Sequence, residues 1–203
     1  MGVLSNRTAT PTNCMSSSTP TDTLSIENVV VSTGIDQELD LEQLADDVEQ
    51  TEFDPERFPG LLYRTQTPEA AVLMFRSGKM VCTGAKSAEE ANRALDTVFE
   101  TLRSLGIDAG GTPDVAVENM VVGGELGQRL NLNAAAIGFG LTNIEYEPEQ
   151  FPGLVYRFDD SSVVVLLFGS GQTIITGGSS IEEAEEAIDI VQNRLGDLGL
   201  LNQ

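Results

Sequence analysis

Histidine is absent from all 203 residues. That absence excludes a histidine general base, a Ser–His–Asp triad and a histidine–cysteine zinc site. Cysteine is scarce: Cys14 lies in a polar stretch and Cys82 in an apolar run. No structural disulfide is expected between such different surroundings, and a reducing cytoplasm is the expected compartment. Positive charge is also scarce, with 11 Lys+Arg against 32 Asp+Glu and a formal net charge of −21. Taken alone, this balance argues against nucleic acid, whose phosphates repel acid. Long hydrophobic runs are missing. Nothing approaches the roughly 18–20 apolar residues of a membrane span, and the N-terminus has neither a basic start nor an apolar signal core. The reading is a soluble, non-exported chain without a membrane partner.

What is present is enough apolar residue, 40%, to build one large or two small cores. Residues 1–23 are mostly Ser, Thr, Asn and Pro, a composition that cannot repay its ordering entropy and reads as a flexible polar leader. The triplet Asn6-Arg7-Thr8 has the form of a glycosylation sequon but is assigned no chemistry.

Beyond the leader the chain repeats itself. The segment from Glu52 to Arg64, containing Phe58-Pro59-Gly60, returns from Glu145 to Arg157, containing Phe151-Pro152-Gly153, at an offset of 93 residues. The match continues through Phe75 and Phe168, Thr83-Gly84 and Thr176-Gly177, and Gly106 and Gly199, while Asn28 and Asn119 pair at an offset of 91. A period this long, occurring twice, implies two similar half-domains about a pseudo-two-fold axis, at 24–112 and 113–203.

Each half has the same order of signals. Ile26–Ser32 is β-rich, and Asp40–Val48 carries Leu41, Leu44, Ala45 and Val48 at helical spacing. Strand-like runs follow at Leu61–Arg64, Ala70–Arg76 and Met80–Thr83. Ser87–Leu105 closes the unit as an amphipathic helix, with Ser87 and Glu90 as a capping box, and Ser180–Leu198 is its second copy. The pattern predicts an α+β fold with antiparallel strands and the long helices on one side. Side chains alternate across a strand, so Ala71, Leu73 and Phe75 oppose Val72 and Met74, and both sets are apolar. Helices cover one such face. The other needs a second layer, a second copy of the chain, or a ligand.

The run Phe75-Arg76-Ser77-Gly78-Lys79-Met80-Val81-Cys82-Thr83-Gly84-Ala85-Lys86-Ser87, the segment Ile26-Glu27-Asn28-Val29-Val30 and both Glu-x-x-Pro-Glu-x-Phe-Pro-Gly-Leu segments resemble the core of the TATA-binding proteins. The resemblance covers about Thr23 to Leu200. It implies a pseudo-two-fold saddle of about ten antiparallel strands, with four helices on the convex face and the DNA minor groove against the concave one. It also implies a general transcription initiation factor that is not an enzyme, needs no cofactor, and recruits transcription factor B and, through it, RNA polymerase. In this family phenylalanines wedge into base steps and kink the duplex; the matching residues are Phe58, Phe75, Phe151 and Phe168. Unstacking costs about a few kcal/mol per step and burying one Phe returns about 1.5–3. The wrapped surface must therefore supply the affinity.

The resemblance further assigns minor-groove contact to Asn28 and Asn119, to Thr83 and Thr176, and to an apolar floor of Val30, Leu73, Val81, Val121, Val164, Leu166 and Ile174. A·T pairs present only acceptors there, whereas G·C adds a protruding amino group for which such a floor has no partner. Phosphate contact falls to Arg57, Arg64, Lys79, Lys86 and Arg157. The second half departs from the family by placing Gln150, Gln172 and Ser179 where the first has Arg57, Lys79 and Lys86. The C-terminal stirrup residues Glu147 and Glu149 are the expected contacts for transcription factor B.

The acidity then needs its own reason. Ser25–Gly106 holds 7 basic against 16 acidic residues, and Asp114–Gln203 holds 3 against 14. Such a coat suits a salt-saturated cytoplasm, where charge is screened within about 3 Å at 1 M salt. It implies a halophilic archaeal source and bound cations between DNA and protein, while the family resemblance implies a cytoplasmic, nucleoid-associated protein. The rival reading is a protein-docking paralogue that uses the same saddle and acidic stirrups with little DNA affinity. The acids otherwise follow loops and helix faces, the ordinary solvated arrangement.

Overall fold

The computed structural model describes residues 24–110, 114–140 and 142–201. The polar leader, Cys14, the Asn6 triplet and the boundary between residues 112 and 113 lie outside them. Among the described residues the first half runs β1 (Ser25–Gly34), α1 (Leu41–Asp47), β2 (Thr51–Glu52), β3 (Gly60–Gln66), β4 (Glu69–Phe75), β5 (Lys79–Ala85) and α2 (Ala88–Ser104). The second repeats this order with β6 (Ala116–Glu125), α3 (Leu132–Phe139), β7 (Ile144–Glu145), β8 (Gly153–Arg157), β9 (Val164–Phe168), β10 (Gln172–Gly178) and α4 (Ile181–Asp197).

All ten strands form one antiparallel sheet, ordered β2-β3-β4-β5-β1-β6-β10-β9-β8-β7. The order reads the same from either end, so the pseudo-two-fold axis passes between β1 and β6. The sequence pattern gave four strands per half. The fifth strands, β2 and β7, are two residues each and close the sheet edges, where short strands limit pairing with other chains.

Helix ends follow the side chains available. Asp40 and Asn131 cap α1 and α3, and Ser87 and Ser180 cap α2 and α4, each accepting the backbone N–H three residues on. The expected capping box is shifted by one residue: Glu90 accepts from the Lys86 N–H at 2.9 Å, and Glu183 from the Ser179 N–H at 2.6 Å. The carboxylate thus ties the incoming strand to the helix instead of closing on the cap residue.

The core lies between the sheet and the helices. Val72, Met74, Met80 and Cys82 meet Ala91, Ala94, Leu95, Val98 and Phe99 of the same half, and the second half matches this with Val165, Leu167, Ile175, Ala184, Ala187, Ile188 and Val191. Cys82 is a buried free thiol, and burial pushes its pKa up to about 11. Among the described residues no helix is long and apolar enough to cross a membrane.

Candidate nucleic-acid interface

The alternation read from the sequence separates the two faces. Val72 and Met74 are buried, while Ala71, Leu73 and Phe75 on the same strand remain half-exposed. Val164, Leu166 and Phe168 stand in the same way opposite Val165 and Leu167. Val30, Val121, Val81, Thr83, Ile174 and Thr176 are likewise half-exposed. An apolar face therefore runs across both halves, and among the described residues no helix lies over it.

At each end of this face stands a pair of phenylalanines. Phe58 meets Phe75 edge-on with ring centroids 5.9 Å apart, and Phe151 meets Phe168 at 5.8 Å, the geometry favoured by aromatic quadrupoles. Phe58 is 43% exposed and Phe151 38%; their partners are half-buried. The outer ring is presented by a turn in which Phe58 N–H donates to Asp54 and Phe151 N–H to Glu147. A residue that sequence reasoning missed makes this possible. A Cβ at Gly60 would lie 2.6 Å from the Phe58 ring and 3.1 Å from the Phe75 ring, and Gly153 repeats both distances with Phe151 and Phe168. The signal was the repeated Phe-Pro-Gly, whose glycine reads from sequence as a turn residue and not as a seat for two rings.

The centre of the face is built by bulges. Where β5 pairs with β1, Val29 stands opposite Ala85 but Val31 opposite Cys82, and β10 slips in the same way against β6. Gly84 and Gly177 fall within these slips, with φ of +92° and +89°, a region that favours glycine. Their N–H groups leave the ladder and donate to Asn28 Oδ1 at 2.7 Å and Asn119 Oδ1 at 2.8 Å. The threonine hydroxyls lie close by, Thr83 3.1 Å from Asn28 Nδ2 and Thr176 3.2 Å from Asn119 Oδ1. With each Oδ1 engaged, each amide presents its Nδ2 side as donor.

A second pair of slips separates Ile26 from Asn28 and Asn119 from Val117 along the β1–β6 seam. The extra residues are Glu27 and Glu118. Glu27 accepts from Ser25 Oγ at 2.7 Å and lies over Gly123, where a Cβ would sit 3.3 Å from it; Glu118 accepts from Ser32 Oγ. Glu27, Glu125, Phe168, Gln172 and Ile174 line a shallow depression of about 470 Å³. Acid thus stands beside the apolar face itself. The repeated Glu-Asn doublet was its sequence signal, but alternation assigns neighbours to opposite faces, and only a bulge overrides that.

The expected rim cations are not equivalent. Arg64 pairs with Glu52 at 3.2 Å and Arg157 with Glu145 at 2.9 Å, in exposed positions, while Arg57, Lys79 and Lys86 are exposed. Solvent-exposed pairs are worth about 0–1 kcal/mol, so a phosphate can compete for either arginine. In the β7–β8 loop Glu149 is exposed, whereas the Glu147 carboxylate accepts from Gln150 Nε2.

This architecture has clear relatives. The family model described as transcription factor TFIID, or TATA-binding protein, matches residues 23–105 and 114–198. The chain is 60% identical over 183 residues to TATA-box-binding protein 1 of Haloferax volcanii, covering 90% of this chain and 97% of the relative. It is 59% identical to the TATA-box-binding protein of Haloarcula marismortui, covering 90% and 98%; both sources are haloarchaea. The solved structure of Methanococcus jannaschii TBP superposes with a TM-score of 0.78 at 47% identity, covering 86% of this chain and 99% of that one. With both repeats matched and the ten-stranded duplicated sheet in common, the chain belongs to the TATA-binding protein family, whose members are DNA-binding transcription factors and not enzymes.

Proposed function

We propose that this chain is a general transcription initiation factor that binds the minor groove of A·T-rich promoter DNA on its open sheet face. Phe58 with Phe75, and Phe151 with Phe168, wedge and kink the duplex, and the bent complex is presented to transcription factor B and RNA polymerase. The observation that carries this reading is the duplicated uncovered face: two Phe pairs at its ends and two donor-oriented asparagines at its centre. Nδ2 groups meet the acceptors that A·T pairs present, and the apolar floor leaves a guanine amino group without a partner. Arg57, Arg64, Lys79, Lys86 and Arg157 contact phosphate. Cations accompany Glu27 and Glu118, because carboxylate beside a phosphate backbone is otherwise repulsive. Without DNA, a second copy of the chain competes for the same face. The protein works in the cytoplasm, on the nucleoid.

The test is a Phe151→Ala/Phe168→Ala variant assayed for binding and fluorescence-transfer bending of a TATA duplex in molar KCl. Both should fall while circular dichroism is unchanged, since Phe151 is exposed and Phe168 half-buried. Wild-type bending by this variant would sink the wedge assignment. Equal affinity of the unmodified protein for a G·C duplex would favour the docking-paralogue reading.

A further inference from the structure

On the helical side the two halves end their long helices alike. Gly106 and Gly199 turn the chain at φ of +82° and +68°. Ile107 N–H then returns to Leu102 O at 3.0 Å, and Leu200 N–H to Leu195 O at 2.9 Å. This places Leu105 beside Ile107, and Leu198 beside Leu200, against the short helix of the same half. What they meet there differs.

In the second half Leu198 lies directly on α3. A Cβ at Gly138 would come within 2.4 Å of its Cδ1, and Gln128 Nε2 donates to Leu200 O at 2.9 Å. In the first half Asp47 stands at the position matching Gly138. A groove of about 200 Å³ opens there between α1 and the end of α2. Its floor is the buried Leu39 and Leu44, its apolar wall Leu105 and Ile107, and its rim Glu38, Asp40 and Asp47. Leu105 and its counterpart Leu198 are about equally exposed, at 39% and 41%, so what sets the first half apart is its rim, where Glu38 and Asp47 are exposed. At the matching positions the second half has Arg129, Asn131 and Gly138, so the rim's acidity is not a general property of this site in both repeats.

From this we infer that the first-repeat groove seats a short segment of a partner protein, in which an apolar side chain is flanked by Lys or Arg. The volume falls below the roughly 300–1,000 Å³ of small-molecule pockets and suits one or two side chains. The Glu38 and Asp47 carboxylates, with the capping carboxylate of Asp40 between them and no cation among the lining residues, select positive charge. At molar salt screening leaves little beyond about 3 Å, so recognition rests on direct Arg– or Lys–carboxylate contact around the buried apolar anchor. The groove lies away from the open sheet face, so it can be occupied with DNA bound.

The experiment uses the full chain in about 1 M KCl and a fluorescein-labelled amphipathic peptide of about a dozen residues, leucine on one face and arginine flanking it. Its twin carries glutamate for every arginine. The arginine peptide should bind by anisotropy, shift the methyl resonances of Leu44, Leu105 and Ile107, and bind equally with TATA duplex present. A Glu38→Arg/Asp47→Asn variant should bind at least about tenfold more weakly, the loss expected from a single charge-assisted contact. Arg129→Glu should change nothing. Absence of binding, equal binding of the glutamate twin, an unchanged affinity in the folded double variant, or displacement by DNA would each overturn the proposal.

Discussion

Gly60 and Gly153 hold the phenylalanine pairs at an angle that any Cβ would disturb. With 2.6 Å to one ring and 3.1 Å to the other, a methyl group there forces both rings to move. Overpacking of this kind costs about 1–3 kcal/mol in a closed core, but Phe58 and Phe151 are exposed and can swing away. Gly60→Ala and Gly153→Ala should therefore leave thermal stability nearly unchanged and weaken bending of a TATA duplex by about tenfold in affinity. An unaltered bend angle in both variants would show that ring placement does not depend on these glycines. Cys82 gives a different residue-scale expectation. Burial raises its thiol from 9.0 to about 11, so folding favours the protonated form. That stabilisation is complete below pH 9 and is lost as pH rises from 9 to 11, by about 2–3 kcal/mol. Denaturant titrations across that window should show the decline in the wild type and a flatter curve in Cys82→Ala; identical slopes would contradict it.

At the scale of elements, the two stirrup loops are the same device with different fittings. In the first, the Asp54 carboxylate accepts from the Glu56 N–H at 3.2 Å; in the second, the Glu147 carboxylate accepts from the Gln150 side chain. Glu149 is thus the freer of the two acids proposed to meet transcription factor B. Charge reversal at Glu147 and Glu149 should abolish the ternary complex with transcription factor B and spare the binary DNA complex, with Glu149 alone accounting for most of the loss. Reversal at Asp54 and Glu56 should matter much less. Gel shifts in high salt decide this, and two equally harmless reversals would remove the stirrup from the partner interface.

Over the whole molecule, charge is the unusual variable. A basic protein loses DNA affinity with salt at a slope of about −0.9 per phosphate neutralised. Here the second-half rim holds Gln150, Gln172 and Ser179 in place of cations, two arginines are already paired, and Glu27 and Glu118 stand at the central seam. Affinity should rise with KCl over part of the range as cations enter with the DNA. Gln172→Lys/Ser179→Lys, or Glu27→Gln/Glu118→Gln, should tilt the slope towards the ordinary sign. Calorimetry at several KCl concentrations is the measurement; a steep monotonic loss in the unmodified protein would refute cation uptake.

Local periodicity and the repeat at offsets of 93 and 91 were enough to read the duplication, the order of the principal strands and helices, and the division of each strand into two alternating sets of side chains. Because both sets are apolar, that pattern left open which one the helices cover; the family resemblance assigned Phe75, Leu73 and Val81 to the open face, and in the fold they stand half-exposed. Three features come from contacts between elements distant in the chain. The bulges along β1 and β6 bring Glu27 and Glu118 out of strict alternation. Cross-strand pairing ties Arg64 and Arg157 to glutamates twelve residues away. The facing of α3 and α4 lets Leu198 settle on Gly138 where the first half keeps a groove. Each depends on the register or approach of separate elements, set by packing across the whole sheet, and a one-residue slip there changes a face that local pattern cannot see.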